Sequence, residues 1–347
     1  MRIGYDAKRA FLNRTGLGNY SRWLIRSMAS FYPHNSYYLY TPKKKQGNGI
    51  SFPDGLYNVT IVLPASNLIP ALWRIAGIVK DLKRDQIELY HGLSHELPAG
   101  IDKSGIKSVV TVHDLIFIRF PQYFGAINRF IYGTKLKYAC RVADKIIAIS
   151  ERTKQDLIEL LKISPDKIEV IYQGCDPVFK QASTEQEKQA VLEKYNLPGE
   201  FILSVGTIEE RKNLLLLIKA LPGVTSPIKL VAIGRQTSYT KKVKQLVNGL
   251  GLNNRVIFLD TVNFTDLPAI YQSAKVFVYP SRYEGFGIPV LEALCSGAPV
   301  IAATGSCLEE AGGPDSLYVD PDMEKDLAEK INMVLTYETL RQKMTVK

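Results

Sequence analysis

The chain has 347 residues, 46% hydrophobic and 22% charged, with a formal net charge of +10; this is a soluble globular composition, too long for one ordinary core, so two domains are expected. No uninterrupted apolar stretch is long enough to span a bilayer, and the N-terminus MRIGYDAKRAF lacks the apolar segment of a signal peptide, so the chain reads as a cytoplasmic enzyme. Its four cysteines, Cys140, Cys175, Cys295 and Cys307, include no C-x-x-C pair, which argues against a disulfide framework and a zinc site.

The charge is unevenly placed. Residues 1–178 hold 25 Lys+Arg against 15 Asp+Glu, and the remainder holds 44 − 25 = 19 against 34 − 15 = 19. A basic first half can meet nucleic acid, an anionic membrane or a phosphorylated acceptor. No recognisable nucleic-acid module supports the first, so no nucleic-acid partner is expected.

In chain order, residues 2–6 (RIGYD) read as a strand, residues 8–18 as a basic loop ending in TGLGNYS, and residues 19–29 as a helix with Tyr20, Trp23, Leu24 and Ser27 at helical spacing. The turn lacks the third glycine of a dinucleotide fingerprint, which counts against a nicotinamide dehydrogenase. Residues 37–40 and 59–62 read as strands, with residues 43–49 as a surface loop between them. Residues 68–84 read as a helix with an apolar face through Leu72, Ile75, Val79 and Leu82. Its Trp73, Arg74, Lys80, Lys83 and Arg84 leave two readings open, a core-packed helix with a solvated basic side or an interfacial helix on an anionic membrane.

Residues 87–91 form the next strand, running into HGLSHELP, and residues 109–112 another, ending at His113 and Asp114. Polar residues at the carboxyl ends of neighbouring parallel strands project into one crevice. A helix over 128–142 and a strand over 145–148 follow. Ser150 then caps a helix over 151–162, and a strand over 169–172 closes a first domain of residues 1–178. The second domain, 179–347, opens with the strand FILSVG (201–206), then TIEERKN and a helix over 214–221. Arg211 and Lys212 at that loop-to-helix junction can neutralise a diphosphate leaving group. Strands over 229–233 and 256–259, a helix over 267–274 and a final helix from 325 to about 344 complete the rhythm.

Residues 276–303, VFVYPSRYEGFGIPVLEALCSGAPVIAA, read as one strand–helix–strand unit, with strands over 276–280 and 299–302 and a helix start at 289–294. Such a unit implies a parallel sheet whose crevice lies at the carboxyl ends of the strands. Gly285 and Gly287 flank Phe286 and permit a sharp turn, and Pro289 suits a first helical turn. The helix N-terminus, at Ile288, favours a phosphate. Glu284 and Glu292, which repel phosphate, suit hydroxyl groups on either side of a diphosphate. The ligand so described is a nucleotide-sugar.

The string PSRYEGFGIPVLEALCSGAPVIA closely resembles the donor-site signature of retaining glycosyltransferases of family 4 (glycosyl transferases group 1), with two glutamates separated by seven residues. The resemblance covers residues 1 to about 335. It implies the α/β GT-B fold, two Rossmann-like domains with parallel sheets facing a central cleft, acceptor on the first and sugar donor on the second. It implies retention of configuration, no metal and no cofactor. VG-x-x-x-x-RKN is similar to the family's diphosphate-binding pair, with Thr207 where many relatives carry arginine. The glycine pair Gly16 and Gly18 is similar to one that lies near the acceptor and donor phosphates. VHDL resembles the segment whose histidine, here His113, lies beside the reacting sugar, next to Asp114. His91 and His95 fall in a segment that resembles HGP-x-H-x-LP of mannosyl-transferring members, and Glu310 takes the place of the glutamate in S-x-L-P-E-x-x-G, with Glu309 replacing the proline.

The resemblance thus implies mannose transfer from GDP-mannose to a lipid-linked oligosaccharide or polysaccharide; the cytoplasmic expectation comes from the chain itself, and its basic first half suggests a peripheral contact at the inner face of the cell membrane. His113 and Glu284 are the expected catalytic residues. Arg211, Lys212, Glu284, Gly285, Phe286, Gly287, Ile288, Glu292 and Glu310 are the expected donor site. A UDP-sugar transferase or a UDP-sugar epimerase on the same architecture is the alternative. A glycan-binding protein on an inactive framework is expected to lack Lys212 or Glu284, and both are present.

Overall fold

The computed structural model describes residues 1–13, 15–43, 52–64 and 72–345. The chain divides into two compact units, Met1–Gln173 and Gly174–Lys347, a division five residues before the expected one (178 − 173 = 5).

The first unit is built on β1 (Arg2–Asp6), β2 (Ser36–Tyr40), β3 (Val59–Val62), β4 (Leu89–Gly92), β5 (Lys107–Val112), β6 (Lys145–Ala148) and β7 (Ile168–Val170). They form one sheet in the order β3-β2-β1-β4-β5-β6-β7, with every pair parallel. The second unit orders β8 (Phe201–Val205), β9 (Lys229–Ile233), β10 (Val256–Leu259), β11 (Val276–Tyr279), β12 (Val300–Ala303) and β13 (Leu317–Val319) as β10-β9-β8-β11-β12-β13, again all parallel. Parallel strands need crossover helices, which cover both sheet faces, so the strands read as continuous apolar runs. β11 and β12 are buried at every position. In each sheet the strand order reverses once, between β1 and β4 and between β8 and β11, and doubly wound sheets bind ligands at the carboxyl ends beside such a switch. These are two Rossmann-like units.

Several expectations are corrected. Residues 8–18 are not a loop: helices Lys8–Leu12 and Gly16–Phe31 replace it. Gly18 serves close packing rather than a turn, since a Cβ there would lie 1.9 Å from the Asn13 carbonyl oxygen. The expected 68–84 helix is a π-helical turn, Trp73–Gly77, leading into the helix Ile78–Arg84, and its residues 68–71 fall outside the described residues, as do 44–49 of the surface loop. Trp73 is 4% exposed and donates its indole N–H to Asp81 Oδ2 at 2.6 Å, so this tryptophan belongs to the core and not to a lipid interface. The last helix is two, Glu324–Thr336 and Glu338–Thr345, broken where Tyr337 turns extended at ψ 102°. Among the described residues no helix is long and apolar enough to cross a membrane.

Candidate active site

In the second unit the switch point between β8 and β11 gathers the expected cations and one expected carboxylate. β8 is followed by Gly206, whose φ of 153° only glycine adopts readily, and a Cβ on neighbouring Gly234 would meet the Gly206 carbonyl oxygen at 2.0 Å. The chain then turns through Glu210–Lys212 into the helix Leu214–Ala220. The backbone N–H of Arg282 donates to the Arg211 carbonyl at 2.9 Å, and Arg211 Nη1 donates to the Tyr283 carbonyl at 2.5 Å. These bonds knit the loop after β8 to the loop after β11.

Glu284 stands in that joint. Its Oε1 accepts from Lys212 Nζ at 2.5 Å, Ser281 Oγ at 2.7 Å and Tyr279 Oη at 3.1 Å, with Arg211 Nη1 at 2.8 Å. Burial by itself raises the carboxyl, but the Arg211 and Lys212 charges outweigh it and hold Glu284 down to about 2. Lys212 also lies over the Tyr279 ring, 4.9 Å from its centroid, and Arg211 pairs with Glu209 at 2.7 Å. Two cations thus face two carboxylates. Such cations are able to pair with any anion presented to them, a diphosphate included.

The Gly285–Gly287 loop is braced from outside the expected motif. Cys307 directs its Sγ at the carbonyls of Glu284 and Phe286, at 3.1 and 2.9 Å. Gly287 has φ 115°, and a Cβ on it would meet Leu308 Cδ2 at 2.7 Å. Ile288 and Pro289 then open the helix Ile288–Cys295. Glu310, on the short helix Leu308–Gly312, lies beside Cys307.

Glu292 is placed apart from the cations. It is buried, accepts from Tyr271 Oη at 3.1 Å, and has Asp176 and Cys295 as electrostatic neighbours. Burial, with Asp176 adding, pushes its carboxyl up to about 8, so near neutral pH it keeps its proton and can both donate and accept. The structure therefore replaces the expected pair of carboxylates with one anion and one neutral acid.

In the first unit the carboxyl ends of β1, β4 and β5 hold Asp6, His91 and His113. Thr111 Oγ1 shares hydrogen bonds with His91 Nε2 at 2.8 Å and Tyr20 Oη at 3.1 Å, so the helix that carries Gly16 and Gly18 reaches this cluster through Tyr20. His113 Nε2–H donates to the Leu93 carbonyl at 2.9 Å, and its Nδ1 accepts from the Gln173 amide at 3.1 Å. Burial pushes both His91 and His113 down to about 3. In this conformation His113 is neutral with both ring nitrogens occupied, which leaves it no lone pair for proton abstraction. Asp114 caps its own turn, accepting from the Ile116 N–H at 3.1 Å. Asp6 accepts from Arg74 Nε at 3.0 Å, and Arg74 pairs in turn with Glu96, which Lys135 approaches to 3.2 Å. Among the described residues no group of three or more His, Cys, Asp or Glu is arranged to hold a metal ion.

Sequence reasoning missed Tyr279, Ser281, Cys307, Gln173 and the Asp6–Arg74 pair. Asp6 was findable by the strand-end rule that selected His113. Tyr279 and Ser281 lie five and three residues before Glu284, inside the stretch the sequence singled out, whereas Cys307, Gln173 and Arg74 are joined by long-range contacts that carry no local signal.

Residues 185–347 match the family model of glycosyl transferases group 1, and residues 24–179 match that of glycosyltransferase family 4. The serotype-specific mannosyltransferase WbdA of Escherichia coli is 31% identical over 281 residues, 78% of this chain and 34% of the relative. The O-antigen chain mannosyltransferase B of Escherichia coli is 32% identical over 240 residues, 67% of this chain and 61% of the relative. The chain thus spans between a third and three fifths of the length of these curated relatives. Among solved structures, Anabaena Alr3699/HepE in complex with UDP and glucose aligns with a TM-score of 0.75 at 18% identity, covering 99% of this chain and 92% of that one. WaaG, a glycosyltransferase involved in lipopolysaccharide biosynthesis, aligns at 0.72 with 16% identity, covering 99% and 93%. At those identities the likeness concerns the fold.

Proposed function

Because this chain belongs to the glycosyltransferases that the group 1 and family 4 models describe, we propose that it moves a hexose from a nucleotide-sugar onto a lipid-linked oligosaccharide or polysaccharide. The observation that carries the reading is the junction of Arg211, Lys212 and Glu284 at the switch point of the second sheet. Arg211, Lys212 and the N-terminus of the helix Ile288–Cys295 neutralise the diphosphate as it leaves. Glu284, freed from the cations, accepts from sugar hydroxyls and orients the anomeric carbon. Glu292 holds the ribose. The bond from anomeric carbon to phosphate oxygen breaks and its electrons go to the phosphate; the acceptor oxygen bonds to the same face of the sugar and its proton passes to the departing phosphate. Configuration is retained, and no metal or cofactor takes part.

Mannose is the sugar favoured by the names of the relatives, and GDP-mannose is the proposed donor. A UDP-sugar is the second reading, since a structural neighbour holds UDP and glucose. The reaction takes place in the cytoplasm, with the basic first unit resting on the inner face of an anionic membrane.

A thermal-shift panel of GDP, UDP, ADP and dTDP with their sugars tests the reading. A shift with one base and its sugar is expected, and no shift with any of them overturns it. Incubating that donor without acceptor separates a transferase from an epimerase, which alone interconverts the sugar. Lys212→Ala removes a charge-assisted contact worth about 1.5–3 kcal/mol, so nucleoside diphosphate affinity should fall roughly 10- to 100-fold by titration calorimetry. Unchanged affinity contradicts the leaving-group role.

A further inference from the structure

His95 has the backbone of a residue held where it would not otherwise rest. Its φ of 62° lies in the left-handed region, which costs about 1–2 kcal/mol for a residue with a side chain. Such positions persist where the surroundings over-determine them, often at ligand sites. Three bonds tie His95 to the end of β5 and the residues after it. Its N–H donates to the Thr111 carbonyl at 2.9 Å, and its ring Nε2 faces the N–H groups of His113 at 2.7 Å and Asp114 at 3.4 Å. Backbone N–H groups only donate, so Nε2 must accept, and the ring proton is confined to Nδ1. His113 is fixed in the opposite tautomer, with its proton on Nε2.

The two histidines then differ in what they have left. Both nitrogens of His113 are occupied, whereas the Nδ1–H of His95 has no protein acceptor among the described residues, and His95 is part-exposed where His91 and His113 are buried. We propose that His95, rather than the ring of His113, presents a fixed, neutral Nδ1–H donor to an oxygen of the bound substrate, a sugar hydroxyl or a phosphoryl oxygen. The inference rests on the glycosyltransferase reading and names a contact on the first unit.

Burial, with the charge of Arg9 adding, pushes His95 down to about 4. From pH 5.5 upward, about 1.5 units clear of that value, the ring is neutral and the donor is constant. A neutral donor pre-aimed by three bonds loses little entropy on binding and rewards an oxygen over a carbon at one position.

The test uses the full chain labelled with ¹⁵N-histidine. It contains four histidines, His34, His91, His95 and His113, which single substitutions assign. Long-range ¹H–¹⁵N spectra should show His95 as the Nδ1–H tautomer and His113 as Nε2–H, unchanged from pH 6 to 8. Adding the nucleotide-sugar, the nucleoside diphosphate alone, the free sugar or an acceptor glycan should move His95 Nδ1 in at least one arm, and the arm that moves it identifies the oxygen. An Nε2–H tautomer at His95, or bound ligand that leaves His95 unmoved, overturns the proposal. His95→Gln keeps an acceptor near the place of Nε2 and lacks the donor, whereas His95→Asn suits the left-handed backbone and keeps an amide N–H near the place of Nδ1. The proposal expects His95→Gln to lose about tenfold or more in kcat/KM and His95→Asn to retain most of it. Equal losses reduce His95 to a structural anchor. Failure of the wild type to bind any nucleotide-sugar is instead the failure of the glycosyltransferase reading, and the tautomers still report separately.

Discussion

Glu284 and Glu292 belong to one sequence motif and end with opposite charge states. Glu284 is held down to about 2 by two cations against the cost of its burial, so its stabilising contribution is present above the unfolded value near 4.5 and is lost as pH falls through about 2. Glu292 behaves the other way. Folded, it keeps its proton to about 8; unfolded, it releases it near 4.5, so the folded chain binds more protons in between and loses stability as pH rises through that window. Glu292→Gln removes the penalty. By chemical denaturation it should match the wild type near pH 4.5 and exceed it by roughly 2–4 kcal/mol at pH 9; parallel pH profiles would mean that Glu292 is already ionised. The motif singled out the two residues. It was silent on their charge, because the groups that set it, Tyr271 and Asp176 for one and Arg211 and Lys212 for the other, arrive from other parts of the chain.

At the scale of elements, strands were the legible part and glycines the deceptive one. β9 and β10 fall on the residues expected, because buried parallel strands announce themselves as unbroken apolar runs. Gly16 and Gly18 look like turn residues but begin a 16-residue helix, and what Gly18 avoids is the Asn13 carbonyl, a contact invisible in the sequence. The helix Ile288–Cys295 was legible from Gly287 and Pro289 because both carry a local backbone requirement. Gly287→Ala meets both a positive φ and Leu308, so it should lower stability by about 1–3 kcal/mol and weaken nucleoside diphosphate binding. Gly16→Ala has nothing within 4 Å of the new Cβ and no positive φ, so it should leave the melting temperature unchanged or higher. Thermal melts of the two variants side by side check the distinction, and an equal fall in both contradicts it.

For the whole molecule, the sequence located the excess charge in the first half and left the segment 68–84 open between a core-packed and an interfacial helix. Trp73, Ile78 and Leu82 are buried, whereas Leu72 and Ile75 of the expected apolar face are exposed at 57% and 43%. The helix Ala126–Val142 is the better candidate for the proposed membrane contact. It exposes Ile127, Phe130, Ile131 and Tyr132, with Ile127 and Phe130 at 77% and 75%. Its sequence carries Arg129, Lys135, Lys137 and Arg141 and no acidic residue. Apolar side chains beside unbalanced cations suit an anionic bilayer. The full chain should float with vesicles containing anionic lipid at low salt and not with zwitterionic ones, and Ile127→Ser with Phe130→Ser should reduce flotation severalfold. Equal recovery with both vesicle types sinks the idea. Two units and parallel sheets were readable because they repeat local patterns; which side of a helix is covered depends on the fold around it, and its sequence alone does not encode that.

Cys307, whose thiol braces the donor loop, also makes that loop's motion measurable. Burial pushes the thiol well above its ordinary range, so little thiolate exists while the loop is shut. An alkylating reagent reaches this sulfur only in the fraction of time that Glu284 and Phe286 let go of it, and its rate of capture is therefore a clock for opening. A nucleotide seated against the loop slows that clock, and the delay weighs the ligand without any sugar being transferred.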